Sequence, residues 1–164
     1  MIYMSNYEHS GIDFSQFPQD SLLELSYVSR ATQDMGLLSL MNLLEEAVNR
    51  NRELGITGVL YFDSGVFGQI LEGFPKKIET VWEFIRKDRR HGEIQVLSKE
   101  TIQDRKFSNW SMKFFGSEEI SRYVPELKTL FEGSLDKLPE ELLILMRSIA
   151  TAQIEQDLGD VSHT

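Results

Sequence analysis

TGVLYFDSGVFGQILEG, residues 57–73, is the stretch on which the fold turns. Two apolar runs, 57–62 and 66–72, flank Asp63-Ser64-Gly65. Gly65 offers a turn position that tolerates positive φ, so the stretch reads as a β-hairpin. Upstream, residues 22–28 alternate, with Leu23, Leu25 and Tyr27 on one face and Glu24 and Ser26 on the other. That is the pattern of a half-buried strand. Between strand and hairpin, Leu37, Met41, Leu44 and Val48 recur at helical spacing, and the helix closes near Gly55. Downstream, Pro75 opens a second helix that places Ile78, Val81, Trp82 and Ile85 on one face, and the run 86–91 with Gly92 ends it. Ile94, Val96 and the segment 110–115 supply further strands.

The order βαββαββ points to an α+β fold, a ferredoxin-like sheet with strands one and three side by side and two helices on one face. Past Gly116, one apolar stripe (Ile120, Val124, Leu127, Phe131) and another (Leu142, Leu145, Met146, Ile149) predict a C-terminal helical pair. Pro139-Glu140-Glu141 opens its second member, and the pair can cover the other face of the sheet. Before Leu22 no period is sustained, and Gly11 and Pro18 break the chain. The expected organisation is an N-terminal extension (1–21), a domain (22–116) and a C-terminal helical extension (117–164) with a short disordered tail.

With 164 residues, 41% hydrophobic and 26% charged, the chain has the composition of one globular domain plus appendages. The net charge of −9 is uneven. Residues 1–29 carry four acids (Glu8, Asp13, Asp20, Glu24) and no Lys or Arg, and residues 118–164 carry ten acids against four bases. The middle is almost neutral, with thirteen bases and twelve acids. This balance argues against nucleic-acid binding, which needs a surplus of Lys and Arg on one face. Without cysteine there are no disulfides, thiolate metal ligands or cysteine nucleophiles. The first residues lack the basic start and apolar run of a secretory signal, and no stretch approaches the roughly 20 apolar residues of a membrane span. The expectation is a cytoplasmic protein with no membrane partner.

Several residues do not suit a plain core. Gln69 shares a strand face with Phe67 and Leu71, and a buried amide without partners costs about 1–3 kcal/mol, so something must satisfy it. A neighbouring side chain could do so for structure alone. Tyr27 lies on the adjacent strand, so its hydroxyl could meet that amide on the helix-covered face; it could equally end at the rim of the core. Asn51, inside Asn49-Arg50-Asn51-Arg52, reads by itself as a solvated helix end. Asp88-Arg89-Arg90-His91 could bind an anion or merely complement a helix dipole. Trp110 and Met112 alternate as an ordinary core face would. Glycine-rich phosphate loops and a His-Glu-x-x-His motif are absent, and His9, His91 and His163 are too scattered to suggest a metal site. No catalytic constellation emerges, and the chain does not read as an enzyme.

Taken together, these residues resemble the BLUF family of blue-light sensors using flavin. The likeness runs from about Leu22 to Phe115. It is carried by the strand ending Ser26-Tyr27, by Asn51 ahead of Ile56-Thr57-Gly58-Val59-Leu60, by Phe67-Gly68-Gln69-Ile70-Leu71-Glu72-Gly73, by Asp88-Arg89-Arg90-His91 and by Trp110-Ser111-Met112. The resemblance implies FAD, with FMN or riboflavin as possible substitutes, held between the two helices. It implies that Tyr27 and Gln69 are the photoactive pair, with Trp110 and Met112 on the strand that senses the change. It further implies that Asn51 holds the polar edge of the ring and that Asp88, Arg90 and His91 line the pocket toward the ribityl chain. Ala47 departs from the pattern, since a small hydroxyl residue often faces the glutamine; the loss should alter photocycle rate without abolishing binding. The implied function is a short photoreceptor without a catalytic domain, signalling through its C-terminal helices to a regulatory protein in trans or to another copy of itself as a homo-oligomer. The alternatives are a ferredoxin-like ligand-binding or oligomerisation module without flavin, and an acylphosphatase-like hydrolase, for which residues 29–32 are a faint anion loop.

Overall fold

In the computed structural model, which describes residues 11–123, 125–132 and 139–162, the hairpin is the centre of the sheet. Its strands are β2 (Thr57–Asp63) and β3 (Val66–Gly73), and Ser64 and Gly65 both adopt positive φ, 54° and 75°. Two such residues in succession give the turn whose twist matches that of the flanking strands. β1 (Leu22–Ala31) pairs antiparallel with β3 and, on its other edge, with β4 (His91–Ile102). β5 (Lys113–Phe115) closes the far edge by pairing parallel with β2, so the order is β4-β1-β3-β2-β5 and the sheet is mixed. The α+β ferredoxin-like order is therefore present, with strands one and three adjacent.

Helices α1 (Leu37–Leu54) and α2 (Pro75–Lys87) belong to one face, called the front. There Leu23, Leu25, Leu71, Ile78 and Trp82 are buried together. On the back lie α3 (Ser117–Tyr123), α4 (Pro125–Glu132) and α5 (Pro139–Ser162), which bury Ile120, Leu127, Phe131 and Met146 against Tyr61, Ile70 and Phe115. The described part of the N-terminal extension is packed: a 3-10 turn (Phe14–Gln16), capped by the Asp13 carboxylate, inserts Phe14 into the front core.

Five features differ from the sequence reading. β1 is buried on both faces, because the back helices cover Glu24 and Ser26 completely. In α1 the helical spacing is present, but of the expected stripe only Leu44 and Val48 pack on the front core. Leu37 and Met41 are 77% and 57% exposed, while Ala47 and Asn51 are buried, so the helix rests on the sheet through its C-terminal half. α2 ends at Lys87 with Asp88 extended, and Gly92 lies inside β4 instead of terminating the helix. The last strand is only three residues long; Trp110, Ser111 and Met112 precede it in a loop. Finally, the stripe from Ile120 to Phe131 is two helices, since Pro125 has no N–H to continue the first one and starts its own. His9, Val124, His163 and the expected tail at 163–164 lie outside the described residues.

Candidate functional site

β1 and β3 place Tyr27 directly opposite Gln69 in register, both facing front. The Tyr27 hydroxyl donates to Gln69 Oε1 at 2.5 Å, and Gln69 Nε2 reaches the thioether of Met112 at 3.8 Å. All three side chains are buried. The Tyr27 ring meets Trp82 of α2 edge-on at 5.6 Å. Burial pushes the Tyr27 phenol well above the usual tyrosine range, and the Asp88 carboxylate pushes it further, against the opposing charge of Arg50. The phenol is therefore held neutral, as a hydrogen-bond donor. The amide that receives its bond can both accept and donate.

Over this pair the two helices leave a cleft that is partly open to solvent. Leu43, Ala47 and Arg50 of α1 form one wall; Leu60, Phe67 and the Tyr27–Gln69 pair form the floor. Ile85, Asp88, Arg90 and His91 close the end near α2. Arg90 forks onto Asp88 through Nε (3.0 Å) and Nη2 (2.7 Å), and Nη2 also reaches Glu46 at 2.9 Å. Burial alone would raise the Asp88 carboxyl, but hydrogen bonds from the Arg90 guanidinium and backbone N–H outweigh it and hold the group below its ordinary value. His91 Nε2 lies 2.6 Å from the Ile85 carbonyl, which can only accept, so Nε2 donates, and Nδ1 shares a hydrogen bond with Ser29 Oγ at 2.7 Å.

Of the expected cofactor-binding residues, Asn51 and Met112 do not line the cavity, and Trp110 lies on the other face of the sheet. Asn51 is buried; its Nδ2 donates to the Ser111 carbonyl at 2.7 Å, tying α1 to the loop before β5. Trp110 turns to the back, stacked on Phe107 with ring planes 4° apart, while Met112 from the same loop faces front against Gln69. The loop is anchored by Glu72, fully buried at the end of β3, which accepts from the backbone N–H groups of Lys106 (2.7 Å) and Phe107 (3.1 Å). Arg105 bonds back to the Glu72 and Gly55 carbonyls.

Arg50 and Glu72 were not singled out by sequence reasoning. Arg50 lies over the exposed Phe84 ring at 4.9 Å, and its Nε is buried without a partner. Among the described residues it forms no ion pair. Burial lowers its guanidinium from the ordinary arginine value. An orphaned buried donor on a residue lining the cavity is the feature a ligand acceptor would satisfy, and the polar edge of a flavin ring offers one. The signal for it was present: Leu43, Ala47 and Arg50 share one helix face at intervals of four and three. The described residues contain no grouping of side chains suited to a metal ion.

Comparison with known proteins agrees with this geometry. Residues 22–113 match the family model for BLUF, sensors of blue-light using FAD. The beta subunit of the photoactivated adenylate cyclase of Euglena longa is 31% identical over 117 residues, 71% of this chain but 14% of that protein, so the chain spans about a seventh of that relative. Among solved structures, the dark state of the BLUF protein BlrB superposes with a TM-score of 0.73 at 31% identity, covering 82% of this chain and 99% of that one. The photo-activated state of BlsA gives 0.66 at 29% identity, covering 79% and 94%. The front cavity above a tyrosine–glutamine pair thus stands in a fold already used for sensing light, and this chain belongs to the BLUF family.

Proposed function

We propose that this chain senses blue light with FAD bound in the front cavity, and that Tyr27 and Gln69 are the pair that responds. The observation that carries the reading is the buried phenol-to-amide bond on the cavity floor. Bound flavin supplies a chromophore that absorbs blue light and is a strong oxidant once excited. Tyr27 then serves as the electron donor, and its proton has a short path onto Gln69 Oε1. Return of electron and proton leaves nothing consumed; what persists is a rotated or tautomerised Gln69 amide. The opposing contact favours such a change, because a thioether at 3.8 Å is a weak acceptor and does little to lock the amide. Arg50 and the Asp88–Arg90 pair hold the cofactor's polar groups, Ala47 leaves room beside the ring, and Met112 reports the new amide orientation to β5. FMN or riboflavin would share the ring contacts.

Residues 22–116 form the sensor in this reading, and the chain is a sensor without catalysis of its own. Residues 11–21 buttress α2, and the C-terminal helices carry the signal to a regulatory protein in the cytoplasm or to a second copy of the chain. Gln69→Leu provides the test. The variant is expected to retain bound flavin and to lose the red-shifted lit state; a normal light-induced shift in that variant would overturn the role of Gln69.

A further inference from the structure

Side chains alternate along a strand, so the chain neighbours of Tyr27 and Gln69 point to the back of the sheet. Gly68, beside Gln69, has no side chain there, and α5 uses the space. A Cβ at Gly68 would meet Met146 Cε at 3.0 Å and Sδ at 3.3 Å. Met146 is fully buried, and its carbonyl accepts from the Tyr61 hydroxyl of β2 at 2.5 Å. The next residue, Arg147, donates to Glu24 of β1 and, at 2.9 Å, to Glu100 of β4. Glu24 has no exposure to solvent. It also accepts from Ser98 Oγ at 2.9 Å, which lies 2.5 Å from Ser26 Oγ, and Ser26 immediately precedes Tyr27. Two consecutive residues of one helix therefore hold the sheet from behind: Met146 against β3 and β2 at the position next to Gln69, and Arg147 on β1 and β4 three residues along from Tyr27.

We propose that Met146 and Arg147 are the output contact, the point at which α5 reads the state of Tyr27 and Gln69; this rests on the photoreceptor reading above. A rearranged Gln69 amide alters the packing of β3 at its own position, and Gly68 offers no flexible side chain to absorb the change. Met146 lies in direct contact with that backbone, and close-packed groups respond by moving between discrete arrangements instead of deforming smoothly. The Arg147–Glu24 pair fixes α5 against β1, so a displacement at Met146 moves the helix relative to a defined anchor. The Arg147 guanidinium loses hydration here, yet the bonds to Glu24 and Glu100 bind its proton more firmly than usual. The anchor therefore remains charged.

The experiment is hydrogen exchange on the flavin-loaded full chain, in darkness and under blue light, with absorption spectra taken on the same samples. In the wild-type protein, light is expected to change exchange across residues 142–150 by at least about fivefold, the low end of coupling between distinct sites. Removing one partner alone would strand a buried charge, so the main variant is Glu24→Gln with Arg147→Met, which neutralises both. It should keep the light-induced absorption shift in full and lose the exchange response of α5. Gly68→Ala, which displaces the mobile end of Met146, should keep the shift, alter the rate of dark recovery and weaken the same exchange response. An unchanged exchange pattern in the wild type, despite a clear absorption shift, would overturn the proposal, as would an intact response in the double variant. Absence of any absorption shift in the wild type would instead remove the photoreceptor reading and this inference with it.

Discussion

On the front of the sheet, α1 and α2 leave a cleft over Tyr27 and Gln69 that is partly open to solvent, and Leu37, Leu38 and Met41 of α1 face solvent. On the back, Leu142, Met146 and Ile149 of α5 are wholly buried, along with Phe131 of α4 and Phe115 of β5. The same five strands thus carry a face that leaves room and a face that leaves none. A face with room can admit a chromophore and let an amide turn; a close-packed face passes small displacements on. The polar groups follow the same division. In front they bond to partners they can exchange, a phenol and a thioether, whereas behind, Glu24 is fixed by Arg147 and Ser98.

This contrast can be broken at either face. The largest effect belongs to the front: Tyr27→Phe should bind flavin yet show no red-shifted state, leaving a yellow protein that only bleaches under light. Behind, Phe131→Ala removes a ring that is 1% exposed and should cost about 3–5 kcal/mol of stability in chemical denaturation. Alkaline pH comes next. The phenols of Tyr27 and Tyr61 are both held above the ordinary value by burial, so the unfolded chain releases these protons first and stability falls as pH rises past about 10. Each contributes at most about 1.4 kcal/mol per pH unit, and Tyr27→Phe should flatten the decline measured by denaturation across that range. Tyr61→Phe deletes the bond to the Met146 carbonyl and should cost about 1 kcal/mol near neutral pH. The smallest effect is expected at the solvent side of α1, where Leu37→Ser should stay within about 0.5 kcal/mol. A large loss there would mean that this face is covered in solution.

The front site was more legible in the sequence than the back, for a physical reason. Period-two alternation puts Tyr27 with Leu25 and Gln69 with Leu71, and the helix order makes their strands neighbours, so local pattern and topology alone bring the two polar groups together. Glu24 alternates just as cleanly, but its partner Arg147 is 123 residues away on a helix whose docking no local pattern specifies. The same limit applies to Asn51. Its helix end looks solvated by composition, and only the path of the loop carrying Ser111 buries it. Apolar spacing identified α1 as a helix but not which part of it is buried, because Leu37, Leu44 and Asn51 share one face at intervals of seven while only the C-terminal half of the helix reaches the sheet. The extent of β5 depended on Glu72 and Arg105 holding the preceding loop, a contact between strand end and loop that leaves no periodic trace.

The central claim is that the front cavity holds a flavin whose surroundings switch with light, and one absorption record tests it directly. The purified chain, loaded with FAD, is measured in darkness, after blue illumination and again after return to darkness. A flavin spectrum that shifts to longer wavelength under light and reverts fully in the dark is the expected result. A chain that retains no flavin, or one whose bound flavin shows no reversible shift, would contradict it.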